Sequence, residues 1–111
     1  MTEQVLTQLE ALNEAIVSHP ACALYFSQPQ CGVCHALKPK LLSLFKEQFP
    51  NIPFYYIDAE QSPELAAQNQ VFTVPTLLVF FEQSEMIRES RHISLSALKE
   101  QLERPYSMMF G

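Results

Sequence analysis

Apolar residues recur along the chain with two different periods, and most runs are closed by a residue that ends them. Val5, Leu9, Leu12 and Ile16 fall at helical spacing, with Leu6 and Val17 widening the stripe. Thr2 is placed to cap this helix and His19-Pro20 to end it. Ala21 to Ser27 is a short apolar run with proline on both sides, the pattern of a strand buried on both faces of a sheet. A second helical stripe, Cys34, Leu37, Leu41, Leu44, Phe45 and Phe49, contains Pro39, which predicts a kink because proline has no N–H to give the helix. Phe54 to Asp58 is rich in β-forming residues and predicts a second strand. Ser62-Pro63-Glu64 supplies a cap, a proline at the first helical position and an acid in the first turn. A short helix with Leu65 and Ala66 follows, and Asn69 is placed to end it in the left-handed conformation. Thr76 to Phe81 predicts a third strand and Met86 to Arg91 a more polar fourth. The connection Glu82-Gln83-Ser84-Glu85 lacks Gly and Asn, so a loose turn is expected there in preference to a two-residue hairpin. Ser94 or Ser96 caps a last helix with Leu95, Leu98 and Leu102 on one face. Pro105 is expected to stop it, leaving residues 105–111 as a short tail.

The element order α-β-α-β-α-β-β-α predicts the α/β class: a central mixed sheet, ending in a hairpin, with helices on both faces. A length of 111 residues corresponds to a single domain, 1–111, and 48% hydrophobic against 17% charged residues is enough to build a core. The two glycines, Gly32 and Gly111, exclude a dinucleotide-binding GxGxxG loop and a P-loop. The single aspartate, Asp58, excludes an EF-hand loop and an Asp–Asp dyad. Three cysteines are too few, and odd in number, for a disulfide-stapled scaffold. A net charge of −5 argues against nucleic acid or an anionic membrane surface as partner, and no apolar run reaches transmembrane length. The start Met1-Thr2-Glu3-Gln4 is acidic and leads into no continuous apolar stretch, so a cytoplasmic location is expected.

The chemistry concentrates in Gln30-Cys31-Gly32-Val33-Cys34, between a predicted strand and a predicted helix. A spacing of i and i+3 brings two sulfurs to the same side of one helical turn, within reach of a disulfide. The unpaired N–H groups and positive dipole end of a helix start favour thiolate over thiol. Lowering a thiol pKa from ~8.5 to ~7 raises its thiolate fraction at neutral pH from about 3% to about half. Cys31, nearer the helix start, is then the attacking nucleophile and Cys34 the resolving thiol. Three other readings compete. CxxC is half a zinc site, but a closed site needs four ligands, and Cys22, His19, His35 and His92 supply no second pair. Cys31 to His35 also matches the CxxCH pattern of c-type haem attachment, which fits poorly with alternating strands and helices. A chemically idle pair is the third. His35, about 100° round the helix from Cys34, is expected at the solvent-facing rim, and Cys22 as a buried small hydrophobe.

Val74-Pro75-Thr76 stands just before the strand at Thr76 to Phe81. It is either a proline at a strand start or a cis-proline turn that exposes the Val74 backbone to an extended peptide. Together the strand ALYFS, the CGVC motif, Pro39, Ile57-Asp58 and Val74-Pro75-Thr76-Leu77 resemble the thioredoxin family, over Ala21 to about Leu102. Pro75 follows Cys34 by 41 positions, as in that family. The resemblance implies a thioredoxin-like fold, a thiol–disulfide oxidoreductase working through Cys31 and Cys34, and a cis Pro75 beside the sulfurs. It implies protein or peptide thiol and disulfide substrates. Gly32, Val33, Val74 and Pro75 are the expected substrate-binding positions, and no metal or organic cofactor is needed. Tyr25 stands where the family keeps a buried acid, Phe54 where it keeps a lysine, and Gln30 where it keeps a tryptophan. Val33 replaces the proline of CGPC, and Ser84 and about His92 stand in place of two glycines. A phenol of pKa about 10 is a poor general base for Cys34 near neutral pH. These departures leave the partnering reductase unspecified. They keep a second function open: a thioredoxin-fold binding or redox-sensing module with low turnover.

Overall fold

The structure, a computed structural model, describes residues 4–111. Thr2, the expected first cap, lies outside the described residues. The order is β1 (Gln4–Val5), α1 (Leu9–Ser18), β2 (Ala21–Ser27), α2 (Gly32–Gln48), β3 (Phe54–Asp58), α3 (Pro63–Gln68), β4 (Thr76–Phe81), β5 (Ser84–Ser90) and α4 (Leu95–Phe110). One five-stranded sheet runs β1-β3-β2-β4-β5. The first three strands are mutually parallel, while β4 lies antiparallel to β2 and β5 antiparallel to β4.

Strand β2 is buried along its whole length because helices cover both faces of the sheet centre. Its side chains alternate by the strand period of two. Cys22, Leu24 and Phe26 join Leu12, Ala15 and Leu65 in the core beneath α1 and α3. Ala21, Ala23 and Tyr25 join Leu41, Phe45, Leu98 and Leu102 beneath α2 and α4. This central position puts the C-terminal end of β2 where the chain must turn into α2, and the cysteines sit on that turn.

Four expectations are corrected. Val5 does not begin a helix: Gln4 and Val5 pair with Tyr55 and Tyr56, the Leu6 N–H donates to the Tyr56 carbonyl at 3.0 Å, and α1 starts only at Leu9. A two-residue strand is too short to leave a period in the sequence, so its apolar residues merge with the helical stripe behind it. The β4–β5 connection is a tight two-residue turn, with Phe81 paired to Ser84 and both Glu82 and Gln83 at positive φ (51° and 69°). The buried pair Val79–Ile87 helps set the register, and the turn accepts left-handed side chains at a cost of about 1 kcal/mol each. A bulge between Val79 and Phe80 pairs Phe80 with Glu85 and leaves Met86 unpaired and exposed. The helix α3 does end at Asn69, but that residue has φ −106°, and Gln70 takes the left-handed position at φ 53°.

The fourth correction is at Pro105, which does not stop α4: the helix continues through it to Phe110. An internal proline costs a helix about 3 kcal/mol. Here the last turn is held from outside. Tyr106 packs edge-on against Phe49 at 5.1 Å and tilted against Phe110 at 4.8 Å, and its hydroxyl accepts the Asn51 N–H at 3.1 Å. Met109 and Phe110 pack on the same core. The expected tail is therefore part of the body.

Candidate active site

The chain leaves β2 at Ser27, turns through Gln28 to Gln30, and enters α2 at Gly32 with Cys31 as its N-cap. The Cys31 N–H closes this turn on the Gln28 carbonyl at 3.2 Å. Cys31 and Cys34 are joined as a disulfide with their Cα atoms 5.2 Å apart. The Cys31 sulfur also does the work of a capping oxygen: it accepts the Cys34 N–H at 3.1 Å. The first turn of α2 carries no acidic side chain, so nothing there opposes the positive helix end. Cys31 is half-buried and open to attack, whereas Cys34 is fully buried.

Gly32 and Val33 form the exposed first turn, and Val33 is 62% exposed. Val33 lines an open groove with Leu37, Arg91, His92 and Ile93. Val74 and Pro75 enter from β4. The register pairs Thr76 with Phe26, which brings Pro75 to the end of β2 from which the cysteine loop departs. The Val74–Pro75 peptide bond is cis. Pro75 is buried and Val74 half-buried, and Val74 lines a second groove with Gln28, Ala59, Phe72 and Thr73. The turn is held from both sides, since the Thr76 hydroxyl donates to the Thr73 carbonyl at 2.7 Å and the Arg91 N–H to the Pro75 carbonyl at 2.8 Å.

Beneath the cysteines the expected place of an acid is filled by aromatics. Tyr25 is fully buried, and its hydroxyl donates to the carbonyl of Cys34 at 2.7 Å. Its ring lies 6.0 Å from Phe54 and 6.4 Å from Tyr56. Burial, and then the neighbouring Tyr56 phenol, push the Tyr25 pKa up to about 12, so it is neutral at any physiological pH. The Lys38 ammonium of α2 stands 3.8 Å above the centre of the Tyr56 ring, a cation–π contact at the margin of this aromatic group. His35 is exposed, and its Nε2 donates to the Pro29 carbonyl at 3.0 Å, bracing the loop before Cys31. His19 instead pairs with the Tyr55 hydroxyl at 3.0 Å, remote in the fold from this turn. Cys22 is a free buried thiol whose pKa burial raises to about 12. Among the described residues no three His, Cys, Asp or Glu side chains converge as metal ligands would.

Two elements of the site were not anticipated. The bond from Tyr25 to the Cys34 carbonyl had a signal: a buried tyrosine needs a partner for its hydroxyl, and position 25 faces the helix that carries Cys34. The other had none. Arg88 reaches from β5 to the end of α3 and donates to the carbonyls of Asn69 (2.7 Å) and Gln70 (3.1 Å), while Glu85 braces it at 2.8 Å. The Arg91 side chain adds a bond to the Thr73 hydroxyl at 3.4 Å. The segment before Pro75 is thus pinned by two arginines whose reach no local pattern reveals.

The family model "Thioredoxin" matches residues 3–104. The chain belongs to the thioredoxin family. Within it, the chain is similar to the thioredoxin-like protein YdfQ of Bacillus subtilis, 38% identical over 106 residues covering 96% of this chain and 94% of that protein. It is 30% identical to thioredoxin-1 of Saccharomyces cerevisiae, covering 76% and 84% of the two chains. The fold superposes on oxidised mitochondrial thioredoxin 3 of S. cerevisiae with a TM-score of 0.80 at 22% identity, covering 91% of this chain and 93% of that one. As a thioredoxin-family chain with a disulfide-bonded CxxC pair at a helix N-terminus, the protein is a thiol–disulfide oxidoreductase.

Proposed function

We propose that the protein exchanges disulfides with protein or peptide substrates through Cys31 as nucleophile and Cys34 as resolving thiol. In the reducing direction the Cys31 thiolate attacks a substrate disulfide, forms a mixed disulfide, and releases one substrate sulfur as thiolate. Cys34 then bonds to the Cys31 sulfur, the mixed disulfide breaks, and the second substrate thiol departs. Two electrons pass to the substrate and leave the Cys31–Cys34 disulfide behind. A dithiol reductant must restore the pair. The observation that carries this reading is the placement of the sulfurs. Cys31 lies open at the N-cap of α2, accepting an N–H that also stabilises a thiolate, and Cys34 waits buried one turn in.

Substrate recognition in this proposal uses Gly32 and Val33 on one side and the Val74–Pro75 turn on the other. Val74 precedes β4 and, among the described residues, makes no backbone hydrogen bond, which leaves its N–H and C=O available to an extended peptide. The proposal places the protein in the cytoplasm, where its free Cys22 thiol stays reduced; cell fractionation tests this. No helix of the described residues is long and apolar enough to cross a membrane.

Insulin reduction by dithiothreitol, comparing the wild type with Cys31→Ser, tests the chemistry. The wild type is expected to accelerate precipitation and the variant to match the background. Equal slow rates for both would overturn catalytic exchange. The second reading, a binding or redox-sensing module, is favoured by the Tyr25–Phe54 contact standing where the family keeps its acid and lysine. Stable capture of one protein by Cys34→Ser, without turnover by the wild type, is its outcome.

A further inference from the structure

The peptide of Cys34 is tied to the sheet by a side chain that the exchange reaction has not yet used. Pro39 has no N–H, so the helix bond that would close on the His35 carbonyl is missing from the second turn of α2. The carbonyl that loses its helix partner is that of His35, next to Cys34, so this stretch of α2 holds one bond fewer than an unbroken helix. Tyr25 supplies one from below, its hydroxyl 2.7 Å from the Cys34 carbonyl. The phenol ring cannot swing away, because it is fully buried between Phe54 and Tyr56.

We propose that Tyr25 is the positioning residue for the resolving thiol, holding Cys34 by its carbonyl so that its sulfur meets Cys31 in the mixed disulfide. This rests on the disulfide-exchange reading above. In the closing step the Cys34 sulfur bonds to the Cys31 sulfur as the Cys31–substrate bond breaks. The electron pair leaves on the substrate sulfur, and that sulfur takes up the proton Cys34 gives up. Tyr25 does not accept that proton: its own hydrogen is committed to the Cys34 carbonyl, and the phenol stays neutral. The groups around it offer no substitute. From β3 it meets Tyr56, beneath the Lys38 ammonium of α2, and from α2, Cys34; the buried residues of β4 and α4 in its core, Leu77, Val79, Phe81, Leu98 and Leu102, are apolar, and the Tyr106 hydroxyl of α4 accepts the Asn51 N–H. The pH dependence of closure then belongs to the thiols alone.

The test is single-turnover reaction of the reduced protein with an aromatic disulfide reagent whose thiolate absorbs visibly. The first release reports attack by Cys31 and the second reports closure by Cys34. Tyr25→Phe keeps the ring and removes the hydroxyl. It is expected to slow the second release roughly threefold to tenfold, the range of one hydrogen bond, while leaving the first within about twofold. The second release of the wild type is expected to follow one ionisation between pH 5 and 9. Equal second-release rates in a folded Tyr25→Phe, judged by its near-ultraviolet dichroism, would overturn the proposal. So would a second ionisation in the wild-type closure profile, a measurement that needs no variant. Absence of any first release in the wild type would instead remove the exchange reading itself.

Discussion

Strand β2 has sulfur near both of its ends, and the two ends make opposite use of it. Cys22 sits second in the strand, 1% exposed, paired with Phe80 and packed under α1 and α3. Cys31 lies four residues beyond the other end, outside the sheet, at a helix start. The same thiol chemistry is suppressed at one end by desolvation and favoured at the other by backbone N–H groups and a helix dipole. Burial alone does not draw the line, because Cys34 is as deeply buried as Cys22. What separates those two is a neighbour: Cys34 has Cys31 one helical turn away, and Cys22 has no disulfide partner.

The largest expected effect is in thiol labelling. With the protein reduced and folded at pH 7, an alkylating reagent should modify Cys31 at least about a thousandfold faster than Cys22. Reaching Cys22 requires opening the central strand of the sheet, which costs close to the full unfolding free energy of 5 kcal/mol or more. Peptide mass spectrometry over time reads both rates, and labelling of Cys22 within tenfold of Cys31 would erase the distinction. The next effect is alkaline. Cys22 and Tyr25 hold their protons in the folded state to about pH 12, against 9.0 and 10.0 for the free groups. The unfolded chain releases them first, so stability is intact below pH 9 and falls as pH rises towards 12. Each group contributes a slope of up to about 1.4 kcal/mol per pH unit. Denaturant unfolding of Cys22→Ala from pH 8 to 11 should show a shallower alkaline decline than the wild type. The smallest effect is at the far turn. Gln83→Gly relieves a positive φ and should raise stability by about 0.5–1 kcal/mol, with disulfide exchange unchanged.

The reactive end was far more legible in the sequence than the opposite one. An unbroken apolar run framed by proline marks β2, and a cysteine pair between a strand and a helix fixes its own geometry. Contacts set by tertiary register left no such mark. Glu82 and Gln83 read as poor turn formers, yet they form a tight turn because pairing runs on from Val79–Ile87 to Phe81–Ser84 and leaves only two residues to close it. Pro105 reads as a stop until Phe49 and Tyr106 are seen to face each other across 57 positions of chain. Tyr25 lies between these cases. Its burial and its facing direction were readable from β2 alone, but its bond to Cys34 depends on how α2 sits over the strand.

The lateral borders of the sheet bear on how the molecule behaves in a crowd of its own copies. An open strand edge is a template for another chain, and proteins blunt it with shortness, charge or a bulge. One border here is β1, two residues long among the described residues. The other is β5, which carries Glu85, Arg88 and Glu89 and is bent at its bulge beside Met86. Neither offers a long, flat, apolar row of unpaired amides, so stacking of one sheet onto the next is discouraged at both sides. A protein can then keep a redox-active cysteine pair at one end of its sheet without inviting aggregation along the others.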